Sequence, residues 1–197
     1  MTVGRPRKFN PDDIVRIAID VFWKKGYEQT SVADLLKATG LHKGSLYQTF
    51  GDKKTLFKAA LNTYYEDIYT KHKNIINSEP DPLIGLKKSF KEVLSYSGTM
   101  GDQSNRGCMV VNAIVETVPN DAEIKALAER QFQRFNSLIL GVLVMSESNG
   151  RKFKYPPEMT IGLLMTLMTG LSVNLKDMIN LEQANQILEA QFELLGL

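Results

Sequence analysis

Apolar residues recur at helical spacing along almost the whole chain, and no strand-like alternation of apolar and polar residues persists. The first apolar stripe consists of Ile14, Ile17, Ala18, Val21 and Phe22. Asn10 suits an N-cap, Pro11 suits the first helical turn, and Gly26 suits a C-terminal stop. The pattern therefore predicts a first helix of about 16 residues that ends at Gly26.

The same criteria divide the remaining chain into eight further helices and a polar loop. The predicted helices run from Ser31 to Gly40, from about His42 to Thr49, from Asp52 past Ile68, from Leu83 past Leu94, from Cys108 to Val118, from Asn120 to about Ser148, from Glu158 to about Met178 and from Glu182 to Leu195, with a loop from Gly98 to Gly107. We therefore expect an all-α protein of about nine helices, four in an N-terminal module and five in a C-terminal bundle.

Composition narrows the class of protein. The chain has 197 residues, of which 43% are hydrophobic and 23% are charged, enough to form a core in one or two domains. One cysteine excludes an intramolecular disulfide framework and favours a reducing compartment. The charge-free stretch from Met159 to Leu175 is too short and too polar for a transmembrane helix, and the N-terminus lacks the apolar segment of a secretory signal. We expect a cytoplasmic protein with no membrane partner.

The net charge of +2 conceals an asymmetry. Residues 1–60 contain eleven Lys and Arg against six acidic residues, whereas residues 61–197 contain 13 basic and 16 acidic residues. A basic N-terminal part beside an acidic remainder suggests that this end binds a polyanion. Chance clustering of surface lysines is the alternative that charge alone leaves open.

Two short helices joined at Gly40 and supported by a third helix are typical of a helix-turn-helix, whose second helix enters the DNA major groove. We expect that helix to present polar residues outward or sideways and to be held from behind by Leu35, Leu41, Leu46 and Phe50. The residues presented are His42, Lys43, Gly44, Ser45, Tyr47, Gln48 and Thr49. Gly44 would permit close approach of the backbone, and Lys53 would meet a phosphate at the next helix N-terminus.

The run from Thr30 to Phe57 resembles the DNA-binding signature of the TetR family of transcriptional regulators. It contains a Leu-Tyr-x-x-Phe element at residues 46–50, followed by Lys53. The resemblance is strong over about residues 10–60. It implies a TetR-like fold with a basic arm at 1–9, a helix-turn-helix domain at 10–60 and a ligand-binding and dimerisation domain at 61–197. It also implies a homodimeric, ligand-responsive repressor of a palindromic operator, although repressor and activator cannot be separated from the sequence.

The resemblance also assigns roles to individual residues. Phosphate contacts are implied for Thr30, Ser31, Tyr47 and Lys53, and base contacts are implied for Lys43, Ser45, Gln48 and Thr49. Two positions depart from the family pattern. Leu36 stands where alanine is common, which affects the packing distance between the helices. His42 stands where a serine cap is common, so a phosphate contact is an alternative role for it.

The N-terminal arm contains Gly4-Arg5-Pro6-Arg7, which resembles the core of an AT-hook. Arg5 and Arg7 would then enter a narrow minor groove. The alternative is a solvated tail without a DNA contact.

The segment Gly107-Cys108-x-x-x-Asn112 resembles an element found in some TetR relatives, including regulators that respond to electrophiles and oxidants. A cysteine at a helix N-terminus beside Arg106 would favour the reactive thiolate, so thiol sensing is one hypothesis. The alternative, which the usual burial of free cysteines favours, is a small core residue.

An adaptable apolar pocket for an unknown small-molecule effector is a further hypothesis, and ordinary core packing is its alternative. The residues expected to line the pocket are Met100, Cys108, Met109, Asn112, Glu116, Phe132, Phe135 and Met165. Asn112 and Glu116 could orient a polar ligand group or pair with a core partner. No cofactor or metal is expected.

The last two predicted helices are apolar around much of their circumference. Their apolar residues are Ile161, Leu164, Leu167, Met168 and Leu171, then Ile187, Leu188, Phe192 and Leu195. Such helices need burial on two sides, and the family resemblance implies that a four-helix dimer interface provides it.

Enzymatic function is not indicated. The sequence contains no phosphate-binding glycine loop and no cluster with metal-ligand spacing, and His42 and His72 lie in surface-type contexts. The remaining alternative is a helical protein-interaction module without specific DNA binding. Salt-dependent, palindrome-selective DNA binding would distinguish the regulator from that module.

Overall fold

The computed structural model describes residues 9–98, 106–117 and 121–197. Within these ranges all regular secondary structure is helical, which confirms the predicted all-α class. The helices are α1 Pro11–Lys25, α2 Val32–Thr39, α3 Lys43–Phe50, α4 Lys53–Ser78, α5 Pro82–Gly98, α6 Met109–Glu116, α7 Ala122–Ser148, α8 Pro157–Asn174 and α9 Leu181–Leu195.

Side-chain caps determine where several helices begin. The side chain of Asn10 accepts a main-chain N–H of the first turn of α1 at 3.1 Å, and Ser31 and Asp34 form a reciprocal capping box at α2. The Asn10 cap was predicted. Helix α7 is capped by Asp121, whereas the prediction began this helix at Asn120, which lies outside the described residues.

Helix α8 ends earlier than predicted. Its last helical residue is Asn174 rather than Met178. The chain then tightens, since the N–H of Lys176 bonds to the carbonyl of Val173, three residues back, at 3.2 Å. Residues 175–178 form turns, in which the N–H of Met178 bonds to the carbonyl of Asn174 at 2.8 Å, so the regular helix ends before Met178.

The first compact unit extends to Tyr64, and the buried face of α1 includes Ile14, Ala18 and Phe22 of the predicted stripe but is rotated away from its other two residues. The buried residues of α1 are Ile14, Val15, Ala18, Ile19, Phe22 and Trp23. Ile17 is 37% exposed and Val21 is partly exposed, which corrects their assignment to the core. The stripe at i, i+3, i+4 and i+7 and the stripe at i, i+1, i+4 and i+5 share residues, so the sequence pattern did not separate them.

Aromatic contacts organise the core of this unit. The rings of Phe22 and Phe57 meet edge to face at a centroid distance of 5.0 Å, and those of Trp23 and Tyr64 meet in the same way at 5.0 Å. Leu35 of α2 and Leu46 of α3 are completely buried. These contacts hold the two short helices against α1 and the start of α4.

The second unit comprises Tyr65–Leu197 and has its own hydrophobic core. That core is built from α4, α5, α7, α8 and α9, and its largest fully buried side chains are Phe90, Phe192, Leu86, Leu94, Ile139 and Leu143. Among the described residues, no helix is long and apolar enough to cross a membrane. The same part of the chain holds no group of three or more potential metal ligands.

His72 is not at the surface, contrary to the prediction from sequence. Its side chain on α4 is 3% exposed, and Nδ1 lies 2.9 Å from the hydroxyl of Ser89 on α5. That hydroxyl donates to the carbonyl of Leu86 at 2.8 Å, so the imidazole N–H donates to Ser89. Burial, together with the nearby charge of Lys71, lowers the pKa of His72 to about 3.

Gly85 on α5 is required by close packing of the backbone against α4. A Cβ at this position would lie 2.8 Å from both Cα and the carbonyl oxygen of Ile76. We therefore expect Gly85→Ala to lower the free energy of unfolding by about 1–3 kcal/mol, because the two helices must move apart. Gly141→Ala on α7 is the matched control, since nothing lies within 4 Å of its Cβ position and alanine favours the helix. Urea denaturation that finds Gly85→Ala as stable as the parent would contradict the close packing.

Because His72 is buried, we expect the free energy of unfolding to fall at acid pH. The unfolded chain protonates this imidazole below about pH 6.5, whereas the folded chain does not do so until about pH 3. Between these pH values the unfolded state therefore binds one proton more than the folded state. The contribution of neutral His72 to the free energy of unfolding is complete above pH 6.5 and is lost as the pH falls. His72→Asn, whose amide can still donate to Ser89, should flatten the dependence by up to about 1.4 kcal/mol per pH unit. Parallel stability curves for the two proteins between pH 4 and 6 would disprove the assignment.

Candidate functional site

The two helices of the predicted helix-turn-helix are positioned by polar contacts at their ends. Asp34 accepts the main-chain N–H of Ser31 at 2.9 Å and the ammonium group of Lys25, at the end of α1, at 2.5 Å. The hydrogen bonds from Lys25 and Ser31 lower the pKa of Asp34 below its usual range. Gly40 ends α2 in the left-handed region, with φ of 68°, and its N–H bonds to the carbonyl of Leu36. Asp34 thus fixes the start of α2, and Gly40 forms the turn that leads to α3.

Helix α3 presents a polar surface and buries one residue completely. His42, Lys43, Gly44, Tyr47 and Gln48 are exposed, and Ser45 and Thr49 are partly exposed. Behind them, Leu46 is fully buried, whereas Leu41 and Phe50 are partly buried. The seven residues predicted to face DNA therefore share one accessible region. His42 occupies the N-cap position without a side-chain hydrogen bond to the helix, so its ring is not used for capping.

No contact within the described protein requires glycine at position 44. Nothing lies within 4 Å of the place where a Cβ would stand, and the φ of Gly44 is not in the left-handed region. Gly44 differs in this respect from Gly40, whose conformation favours glycine. Gly44 is the second residue of α3, and the absence of a side chain there leaves room for close approach of an external partner.

Lys53 has a structural role that the sequence did not reveal. Its ammonium group donates to the carbonyl oxygens of Tyr27 at 2.9 Å and Thr30 at 3.0 Å. The same group lies 4.2 Å from the centroid of the Tyr27 ring. Lys53 thereby connects the first residue of α4 to the connection between α1 and α2. The predicted phosphate contact would have to use its remaining N–H.

Thr30 differs from the expectation of a side-chain phosphate contact. Its side chain is fully buried, and its hydroxyl donates to the carbonyl of Gly26 at 2.6 Å. The hydroxyl is used to close the loop after α1 and cannot reach a ligand without rearrangement. Ser31 is exposed, but its hydroxyl is shared with Asp34 at 2.7 Å in the capping box. Arg5 and Arg7 lie outside the described residues.

The residues expected to bind an effector are distributed over several helices of the second unit. Cys108 is the partly buried N-cap of α6, Met109 is 2% exposed, and Glu116 is the partly exposed last residue of the helix. Asn112 donates to the main-chain carbonyl of Arg106 at 3.0 Å, which is the core pairing left open by the sequence. Met100 lies outside the described residues.

On α7, Phe132 is partly buried, and the ring of Phe135 is tilted by 56° to that of His72 at a centroid distance of 4.6 Å. Met165 of α8 packs against the same core. A separate open cavity of about 260 Å³ is lined by Pro80, Asp81, Pro82, Ser146, Asn149 and Arg151, none of which belongs to the expected set.

Sequence reasoning missed two polar residues in this region. Gln131 is 3% exposed, and the hydroxyl of Tyr65, on α4, donates to the main-chain oxygen of Gln131 at 2.6 Å. Helical spacing supplied a signal for Gln131, because it falls in line with Leu127 and Phe135 on the buried face of α7. A glutamine at such a position interrupts an apolar row.

Comparison with known proteins agrees with this geometry. The family described as "Bacterial regulatory proteins, tetR family" matches residues 14–60. The HTH-type transcriptional repressor ComR of Escherichia coli K12 is 28% identical over 195 residues, which cover 93% of this chain and 88% of the relative. The repressor BdcR of the same organism is 25% identical, covering 91% and 86%. These relatives are regulators and not enzymes.

Solved structures extend the similarity to the whole chain. A cysteine mutant of the TetR family transcriptional regulator CifR, complexed with 26-base-pair double-strand operator DNA, has a TM-score of 0.85 and 27% identity. The match covers 96% of this chain and 98% of that chain. The reduced form of NemR from E. coli has a TM-score of 0.78 at 18% identity, covers 91% and 94%, and supports the fold alone.

The contacts of Lys53 predict a stability effect that is local to the first unit. Lys53→Met removes two hydrogen bonds from a charged donor and should lower the free energy of unfolding of this unit by about 1–3 kcal/mol. Trp23, the single tryptophan, lies in the core of this unit, so its fluorescence reports on the unit directly. Lys37→Met, at an exposed position of α2, is the control and should change stability by less than about 0.5 kcal/mol. Equal urea midpoints for both variants would refute the structural role of Lys53.

Proposed function

The chain is a member of the TetR family of DNA-binding transcriptional regulators, and on that premise we propose that it is a homodimeric repressor of a palindromic operator, released by a small-molecule effector. The observation that carries the proposal is the exposed surface of α3. Its polar residues are accessible together, while Leu46 anchors the helix from behind. A helix held in this way can enter a major groove about 12 Å wide without unfolding its own core.

Within that surface we assign base contacts to Lys43, Ser45, Gln48 and Thr49. Gln48 is exposed and carries an amide that can bond both N6 and N7 of an adenine. Gly44 adds no side chain between the helix backbone and the bases. Sequence selectivity in this proposal therefore comes from a few short polar side chains on one helix.

Phosphate contacts are assigned to groups at the edge of the same surface. Tyr47 is 38% exposed, His42 is an exposed N-cap without a capping bond, and Lys53 retains one N–H for a phosphate. At Ser31 the main-chain N–H and the hydroxyl both donate to Asp34, so a phosphate contact there requires the capping box to open. Such contacts orient the protein on the duplex and carry no sequence information themselves.

Dimerisation is assigned to the last two helices. Large apolar side chains remain exposed on α8, where Met159 is 53% exposed, and on α9, where Ile187 is 43% and Leu194 is 64% exposed. A two-fold axis through these helices would cover them on both protomers. It would also present two copies of α3 to half-sites about 34–36 Å apart.

Repression, and not activation, is supported by the relatives ComR and BdcR, both of which are named as repressors. Release by an effector requires that the ligand favour a dimer geometry with the wrong half-site spacing. Coupling between such sites typically changes DNA affinity about 5- to 150-fold. The effector site is assigned to the second unit, where the aromatic and methionine side chains surround α7.

Operator binding tests the proposal through two variants with different expected effects. Sites selected from genomic DNA should be palindromic, and a single half-site should bind far more weakly. Lys53→Ala should weaken binding to every sequence and reduce the slope of log affinity against log salt by about one. Gln48→Ala should leave the slope unchanged and relax selectivity at one position, at a cost of about 1–3 kcal/mol.

Lys73→Ala, at an exposed position of α4 in the second unit, is the matched control and should alter neither property. Measurements are made where Trp23 fluorescence reports a folded first unit, so that loss of stability is not mistaken for loss of contact. If Lys53→Ala changes neither affinity nor salt slope, the assigned phosphate contact is wrong. DNA binding without palindrome selectivity would instead favour the interaction module.

A further inference from the structure

The side-chain amide of Gln131 is buried and has no hydrogen bond at either end within the described residues. The side chain lies on α7 and is 3% exposed. Within the described part of the chain, neither Nε2 nor Oε1 has a hydrogen-bond partner. An unpaired amide away from water is costly, and native cores rarely retain one without a role. Both a donor and an acceptor are therefore available inside the second unit.

The polar groups beside Gln131 are already used. The hydroxyl proton of Tyr65 is given to the main-chain oxygen of Gln131 at 2.6 Å. One turn further along α7, Phe135 stands 4.6 Å from the His72 ring, whose Nδ1 is bonded to Ser89 at 2.9 Å. The buried residues next to Gln131 on α7 are apolar or aromatic, and Ser146, which is also buried, lies near the C-terminal end of the helix.

This environment disfavours a charged ligand. Burial raises the pKa of Tyr65 well above its usual range and lowers the pKa of His72 to about 3, so both side chains are neutral at neutral pH. The nearby cation Arg134 is exposed and paired with Glu66. A ligand ion would lose its hydration without gaining an opposite charge, which is unfavourable.

We propose that Gln131 is the polar anchor of the effector site and binds an uncharged carboxamide or lactam attached to an aromatic body. Oε1 accepts the N–H of the ligand, and Nε2 donates to its carbonyl. Both unpaired groups are satisfied by one ligand group with the matching donor and acceptor. The proposal deepens the proposed function and rests on its effector response.

The test uses the full chain, labelled with ¹⁵N, and benzamide as the probe. Benzamide should shift the side-chain amide signals of Gln131, and calorimetry should find its affinity reduced about tenfold or more in Gln131→Leu. Acetophenone, which lacks the N–H donor, should bind more weakly than benzamide, and benzoate should not bind. Gln133→Leu, at an exposed position two residues along α7, is the matched control and should bind benzamide like the parent.

A stability measurement separates a ligand anchor from an ordinary structural glutamine. Without any probe, Gln131→Leu should melt at a higher temperature than the parent, because it removes two unpaired polar groups from the core. Gln131→Met serves in its place if the leucine variant does not fold. A lower melting temperature for both variants, equal benzamide affinity for parent and variant, or no benzamide binding to the parent would each overturn the proposal. These measurements contain no DNA, so a failure of operator binding would contradict the repressor function separately.

Discussion

The ammonium group of Lys53, held between the carbonyl oxygens of Tyr27 and Thr30, connects the start of α4 to the segment that joins α1 and α2. Helix α3 lies in sequence between the two elements connected in this way, so its placement depends on this contact. The carboxylate of Asp34 adds a second tie from α2 to Lys25 at the end of α1. Polar groups near the surface thus hold a recognition helix whose own apolar contribution is essentially Leu46.

In the first unit the polar contacts lie near the surface. In the second unit, by contrast, polar side chains lie inside an apolar core. The imidazole of His72 is satisfied by Ser89, whereas the amide of Gln131 has no partner among the described residues. The His72 ring lies 4.6 Å from the ring of Phe135 on α7 by centroid distance, and Gln131 lies one turn before Phe135 on the same helix. A core region in which His72 and Tyr65 are neutral, and in which the Gln131 amide has no partner among the described residues, is suited to selecting a neutral ligand.

Most of the secondary structure was predictable because the signals are local. The helix caps could be recognised directly because their hydrogen bonds join residues no more than three or four positions apart. These caps are formed by Asn10, Ser31 and Asp34. The buried face of α1 and the C-terminal end of α8 could not be predicted from the sequence, since both depend on which neighbouring helix covers the apolar residues. Thr30 and Lys53 carry polar groups that suit a phosphate, yet each bonds a main-chain carbonyl brought close by folding.

The sequence by itself determined the helical class, the order of the helices and the family that the chain resembles, because periodicity, caps and motif spacing are properties of neighbouring residues. Only the tertiary structure decided which polar side chains are accessible. In the folded chain His72 is buried and bonded to Ser89, and the Thr30 hydroxyl donates to the carbonyl of Gly26. The amide of Gln131 has no partner in the described residues. The physical reason is that hydrogen bonding and desolvation depend on groups far apart in the chain, and no local pattern encodes their distance.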